Sequence, residues 1–196
     1  MPYSWDTYNP LFVNHLKQIN PSTILDIGPG AGTYSDLSKS ILPNVKMTAV
    51  EATAAYIHEF ELEKKYDKVI NKTIQEFLLT ENGTDYDLAI CGDILEHLSR
   101  EDSMLLLNRL KDRCKELIVV VPYNLPQDEV FGNKYEIHLQ PDLSDEIMKE
   151  YYPMLELINL DGRELKLRID VGNQIYYYCA FKKRWNENSI NYFKLR

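Results

Sequence analysis

The order of strand-like and helix-like stretches predicts an α/β chain: a seven-stranded, mostly parallel sheet with helices on both faces and a C-terminal antiparallel hairpin. Three observations predict it. Short, mainly apolar runs at 23–27, 45–50, 68–70, 86–91 and 117–121 have the length and composition of strands buried on both sides. Helix-like stretches lie between most of them. Two alternating segments, 164–170 and 174–182, flank Val171, Gly172 and Asn173, a turn-like sequence.

Each element has its own signal. The run at 23–27 ends in glycines, and the helix expected over 33–42 is stopped by Pro43. The run at 45–50 ends at Glu51, and 54–65 is helical by propensity. Between the fourth and fifth runs, Ser99 with Asp102 three residues on resembles a capping box, followed by Leu106, Leu107, Leu110 and Cys114 at helical spacing. After Pro122 the pattern changes. Residues 123–140 are irregular and long enough to form a functional loop over a site; 141–152 are helical in pattern, and the tail after Arg184 carries no signal. Without repeats or a low-complexity linker, 1–196 is expected to be a single domain.

Bulk properties narrow the class. A hydrophobic share of 44% with 27% charged residues excludes disordered and fibrous chains, and a formal charge of −8 argues against a general nucleic-acid binder. The longest apolar stretch, 117–121, is too short to span a bilayer, and the first residues lack the pattern of a signal peptide. Cys91, Cys114 and Cys179 form no C-x-x-C pair and leave one over, as expected of reduced thiols in a cytoplasm.

The most informative segment is Asp26-Ile27-Gly28-Pro29-Gly30-Ala31-Gly32-Thr33, between a strand and a helix. Ligands bind there in parallel α/β sheets, and glycines let the backbone approach them. A dinucleotide fingerprint, G-x-G-x-x-G, needs a glycine where Thr33 stands, which disfavours an NAD(P)-dependent oxidoreductase. The pattern D-x-G-x-G-x-G resembles motif I of the class I S-adenosylmethionine-dependent methyltransferases, whose fold is Rossmann-like. The resemblance implies that Gly28, Gly30 and Gly32 wrap the methionine and ribose parts of S-adenosylmethionine, and that Asp26 organises the loop and reaches the amino-acid end. It also implies that Glu51 accepts hydrogen bonds from the ribose hydroxyls; a carboxylate is a suitable acceptor for a diol. At the family's third-strand position, where an aspartate commonly meets the adenine amino group, this chain has Thr73, leaving backbone groups of Thr73 and Ile74 for the contact. Residues 20–123 would form the cofactor-binding half, and 124–184 the substrate side.

Residues 86–98, ending in Asp93-Ile94-Leu95-Glu96-His97-Leu98, resemble the fourth strand of that family in the subgroup with a D/E-x-L-E-H sequence, which includes enzymes acting on hydroxyls of quinone precursors, sugars and RNA ends. If 93–98 is helical, Asp93, Glu96 and His97 share one face. With His138 from the irregular loop, they resemble in type and order the metal site of RNA 3′-end 2′-O-methyltransferases. Three readings stay open: a divalent ion such as magnesium or manganese held by Asp93, Glu96, His97 and His138; His97 as a metal-free base, with Asp93 on the cofactor side; and a structural role.

Aromatic side chains at Tyr3, Trp5 and Tyr8, and at Tyr123, Phe131 and Tyr135, are candidates to line an acceptor pocket, whereas Tyr176, Tyr177 and Tyr178 suit a packed strand. His15 and His58 carry no partner pattern. The expected reaction is O-methylation of a small hydroxylated molecule or sugar, with nucleic acid disfavoured by the acidic charge and no membrane partner. The rival from another class is a non-catalytic, methyltransferase-like binding subunit. Nothing in the sequence sets the oligomeric state.

Overall fold

The computed structural model describes residues 6, 9–80, 85–157, 159–160, 163–164, 166–171 and 174–184. Five parallel strands form the sheet that carries the cavity: β1 (Thr23–Ile27), β2 (Lys46–Glu51), β3 (Lys68–Asn71), β4 (Tyr86–Gly92) and β5 (Cys114–Tyr123), in the order β3-β2-β1-β4-β5. Their apolar runs are explained by two separate cores. Alternate strand residues pack on opposite faces: Ile24, Met47, Ala49, Leu88 and Ile90 on one, Leu25, Ile27, Val50, Ala89 and Cys91 on the other.

The first core is covered by α1 (Asn9–Ile19), α2 (Thr33–Ile41), α3 (Ala54–Glu59) and α4 (Leu62–Lys65), through residues such as Leu16, Tyr34, Ile57 and Leu62. The second is covered by α5 (Ile74–Thr80), α6 (Arg100–Lys111) and α7 (Asp145–Tyr151), through Phe77, Leu106, Leu110 and Met148. The sheet is buried on both sides, as βα crossovers require.

Three expectations need correction. The helix expected over 54–65 is two short helices, because Glu61 between them takes a left-handed φ of 51°. The helix expected from Pro141 starts only at Asp145, where the hydroxyl of Ser144 accepts from the Ile147 amide. The main sheet holds eight strands rather than seven, of which five are the parallel set. The last strand, β10 (Gln174–Arg184), is eleven residues long. It runs antiparallel to β5 on one edge; its other edge is shared between β6 (Glu156–Leu157) and β9 (Lys166–Val171), while β7 (Asn159–Leu160) and β8 (Arg163–Glu164) pair separately. Gly172 and Asn173, the expected hairpin turn, lie outside the described residues. No helix among the described residues is long and apolar enough to cross a membrane.

Candidate active site

A cavity of about 300 Å³ opens at the carboxyl ends of the parallel strands, with Gly28, Gly30, Glu51 and Thr73 on its lining together with Asp93, His97 and Glu136. One part is built by the loop from β1 to α2. Gly28, Gly30 and Gly32 all take left-handed φ values (66°, 50° and 80°), which fold the chain back on itself. A Cβ on Gly28 would stand 2.0 Å from Cδ1 of Ile94, so the loop and the turn after β4 touch directly. The Gly28 amide donates to Val50 O at 2.9 Å, fixing the loop to the end of β2.

Two carboxyls flank this loop. Asp26 is 1% exposed; its Oδ2 accepts from the Tyr66 hydroxyl at 2.6 Å, and its Oδ1 has no hydrogen-bond partner among the described residues. Burial raises its pKa to about 7, against the Tyr66 hydrogen bond and with a smaller contribution from Glu51. Glu51, at the end of β2, is 6% exposed and accepts the Thr53 amide at 2.7 Å. Burial likewise raises it to about 7, opposed by Thr53 and reinforced by Glu136. A glycine cradle and a buried carboxylate at the next strand end fit a nucleoside-bearing ligand with hydroxyls to offer and a cationic end to neutralise.

Thr73 and Ile74 line the same cavity. Thr73, however, is engaged in starting α5: its amide and hydroxyl both donate to Glu76 (2.9 and 3.0 Å), and its carbonyl accepts from Phe77 at 2.9 Å. Its backbone is thus taken up by the helix start, which the T-x-x-E pattern of residues 73–76 signals.

The turn after β4 departs from the expected helix over 93–98. Asp93 has a left-handed φ of 57°, and only Leu95–His97 form a single 3₁₀ turn. The i, i+3, i+4 spacing therefore does not operate, and Asp93 falls outside the cluster that forms. That cluster is Glu96, His97 and His138, with one ligand atom from each within 4.8 Å of the others. His97 Nδ1 lies 3.2 Å from Ile137 O and His138 Nδ1 lies 2.6 Å from Leu125 O; the two rings meet edge to face at 4.7 Å. Glu96 is 1% exposed, and neither carboxylate oxygen has a hydrogen-bond partner among the described residues. Burial, then the nearby Asp93 charge, hold it well above the usual carboxylate range. Burial and His138 push His97 down to about 4, and burial lowers His138. Both imidazoles are therefore neutral near pH 7, the form that accepts a proton or a metal ion.

The irregular segment 124–140 lies over the site, held by side-chain hydrogen bonds past its middle and at its C-terminal end. Asn133 Nδ2 donates to Thr53 Oγ1 at 3.1 Å and the Tyr56 hydroxyl donates to Glu136 Oε1 at 3.0 Å, tying it to the turn that carries Glu51. At the C-terminal end Gln140 is buried. Its amide donates to Glu96 O; its side chain donates to Leu95 O, Leu98 O and Ser103 Oγ and accepts from the Tyr152 hydroxyl. Glu136, Tyr56, Gln140 and Tyr66 were not anticipated. Each acts through a partner at least 12 residues away, so no local pattern marks it.

Of the aromatic candidates, Tyr135 lines the cavity, Phe131 is 89% exposed and Tyr123 is buried in the core. Tyr3, Trp5 and Tyr8 lie outside the described residues, as do the side chains of Tyr176, Tyr177 and Tyr178. His15 bonds Glu116 at 3.0 Å, and His58 is exposed. Cys91 is fully buried and its thiol is pushed up by burial, which makes it a packing residue.

No family model matches the chain. It is 26% identical over 176 residues to a ubiquinone biosynthesis O-methyltransferase of Rickettsia bellii, covering 78% of this chain and 67% of the relative. It is 27% identical over 202 residues to the protein of the same description from Rickettsia typhi, covering 90% and 80%. Among solved structures it resembles TehB from Haemophilus influenzae at TM-score 0.61 and 15% identity, covering 90% of this chain but only 62% of that one. It also resembles magnesium protoporphyrin IX methyltransferase from Synechocystis with bound S-adenosylmethionine, at TM-score 0.59 and 11% identity, covering 91% and 77%. At these identities the structural likenesses show the fold, which is the Rossmann-like α/β fold.

Proposed function

We propose that this chain, a class I S-adenosylmethionine-dependent methyltransferase by its fold and sequence relatives, methylates a hydroxyl oxygen of a small molecule. The observation that carries the reading is one cavity bordered by both Glu51 with the glycine loop and His97. The donor supplies a methyl already activated on a sulfonium, so the protein has to align two reactants and remove a proton.

In this reading Glu51 accepts hydrogen bonds from the ribose hydroxyls, Gly28, Gly30 and Gly32 let the backbone close on the donor, and Asp26 serves its amino-acid end. Thr73 and Ile74 supply the adenine side of the wall. His97, neutral at pH 7, takes the proton from the acceptor hydroxyl, with His138 beside it. Tyr135 and Leu139, on the cavity lining with Ile94 and Leu98, suit a flat hydroxylated ring better than a sugar. The likeness to the Rickettsia O-methyltransferases supports an oxygen acceptor.

Glu96, His97 and His138 also fit a divalent ion. Both Nδ1 atoms are engaged by backbone carbonyls, which leaves each Nε2 to act as a ligand, and Glu96 offers a buried carboxylate with no competing partner among the described residues. Such an ion would lower the pKa of an acceptor hydroxyl. Two measurements test the function: calorimetric binding of S-adenosylhomocysteine, and transfer of a labelled methyl to hydroxylated aromatic acceptors with and without chelator. Binding with chelator-sensitive transfer to oxygen supports the whole reading. Transfer that resists chelator, and is not stimulated by added metal, leaves His97 as the base. No binding, or transfer to amines alone, overturns the reading.

A further inference from the structure

One dipeptide that does not line the cavity holds the glycine loop from both sides, at Asp26 before it and at Ala31 and the start of α2 after it. Lys65, the last residue of α4, donates from Nζ to Ala31 O at 2.9 Å and to Asp36 Oδ2 at 2.6 Å, and its own carbonyl accepts from Ser35 Oγ at 2.7 Å. Tyr66, the next residue, is buried and donates its hydroxyl to Asp26 Oδ2 at 2.6 Å. These four bonds reach from the end of β1 to the first turn of α2. The fit is close: a Cβ on Gly32 would stand 2.7 Å from Cδ of Lys65.

Resting on the donor reading above, we propose that Lys65 and Tyr66 are positioning residues for the methyl donor. Tyr66 fixes one oxygen of Asp26 and leaves the other for the donor's ammonium end; Lys65 holds the glycine loop at Ala31 in its receiving form. The buried Oδ1 of Asp26, without a hydrogen-bond partner among the described residues, is the independent sign that this side chain awaits a ligand. Tyr66 and Glu51 from β2 act on Asp26, and Cys91 from β4 lies nearby. None of these three carries a positive charge, which suits a cationic ligand group. The Tyr66 hydrogen bond favours the ionised carboxylate.

The test compares two ligands by calorimetry: S-adenosylhomocysteine, and 5′-methylthioadenosine, which keeps the nucleoside but lacks the amino-acid end. Tyr66→Phe removes only the hydroxyl. Its expected effect is about a tenfold weaker binding of S-adenosylhomocysteine near pH 7.5, in line with one hydrogen bond to a charged group. The deficit should shrink as the pH is raised, because Asp26 then ionises without help, while 5′-methylthioadenosine binds within about twofold of wild type. Equal weakening of both ligands, or of neither, overturns the assignment of Tyr66. Lys65→Met, at a partly exposed position, should weaken both ligands several-fold, with Lys65→Arg restoring them; wild-type binding by Lys65→Met overturns its part. A wild-type protein that binds neither ligand overturns the donor reading itself, and this inference with it.

Discussion

The two walls of the cavity are made by different means. The wall that carries Glu51 and the glycine loop grows out of parallel strands whose ends are fixed by sheet pairing, so Asp26 inherits its place from the pairing of β1 with β2 and Glu51 from the pairing of β2 with β3. The wall facing it, residues 124–140, has only one short 3₁₀ turn, at Lys134–Glu136, and is placed by individual side-chain bonds: Asn133 to Thr53, Tyr56 to Glu136, and the set around Gln140. A wall set by backbone pairing is rigid and changes mainly in affinity when its groups are removed. A wall set by side chains can shift, and changes there should appear first in turnover and acceptor KM.

That contrast can be broken, starting with the largest effect. His97→Ala should lower kcat by about three orders of magnitude, the middle of the range for loss of a positioned base, while S-adenosylhomocysteine affinity stays within a few-fold. A comparable loss of donor affinity in calorimetry would mean that the two walls are not separable. Glu51→Ala should weaken donor binding about a hundredfold, the effect of losing two charge-assisted hydrogen bonds, with kcat largely kept at saturating donor.

Acidity offers a third test. Asp26 and Glu51 both titrate near 7 in the folded chain, above their ordinary values. The folded state without ligand therefore retains protons that the unfolded chain has released. The stability these groups contribute is full below about pH 4 and is lost as the pH rises through about 7. Donor binding that needs ionised Glu51 runs the other way. Affinity for S-adenosylhomocysteine should rise by at least about tenfold from pH 6 to 8, because the fraction with Glu51 ionised rises by that factor and Asp26 ionises over the same range, while the ligand-free melting temperature falls. Parallel changes in both would refute the sign. Smallest of all, Asn133→Ala should raise the acceptor KM about twofold and leave donor affinity alone, as steady-state kinetics with each substrate varied would show; a change confined to the donor would place Asn133 on the opposite wall.

The same contrast explains what was legible in the sequence. The five parallel strands, the glycine loop and Glu51 are all local patterns, apolar runs closed by turn residues, and the structure places each at the cavity or beneath it. The histidine pair was legible only as residue types, since nothing local says that the loop brings His138 within reach of Glu96 and His97. The helix over 93–98 was expected wrongly, because a left-handed backbone at a non-glycine residue has no sequence signature strong enough to oppose an attractive helical spacing; Asp93 itself still lines the cavity. The eighth strand was missed because β6 has only two residues, too few to show a period.

The anchoring of Gln140 bears on how such a chain can diversify. With that end of the segment locked by five hydrogen bonds, and the Phe131-Gly132 tip facing solvent with nothing within 4 Å of a Cβ added at Gly132, extra residues at the tip need not disturb Glu96 or His97. Lineages descended from this architecture can lengthen or reshape the tip while Glu96, His97 and His138 stay in register. The tip and the histidine pair are thereby open to selection separately.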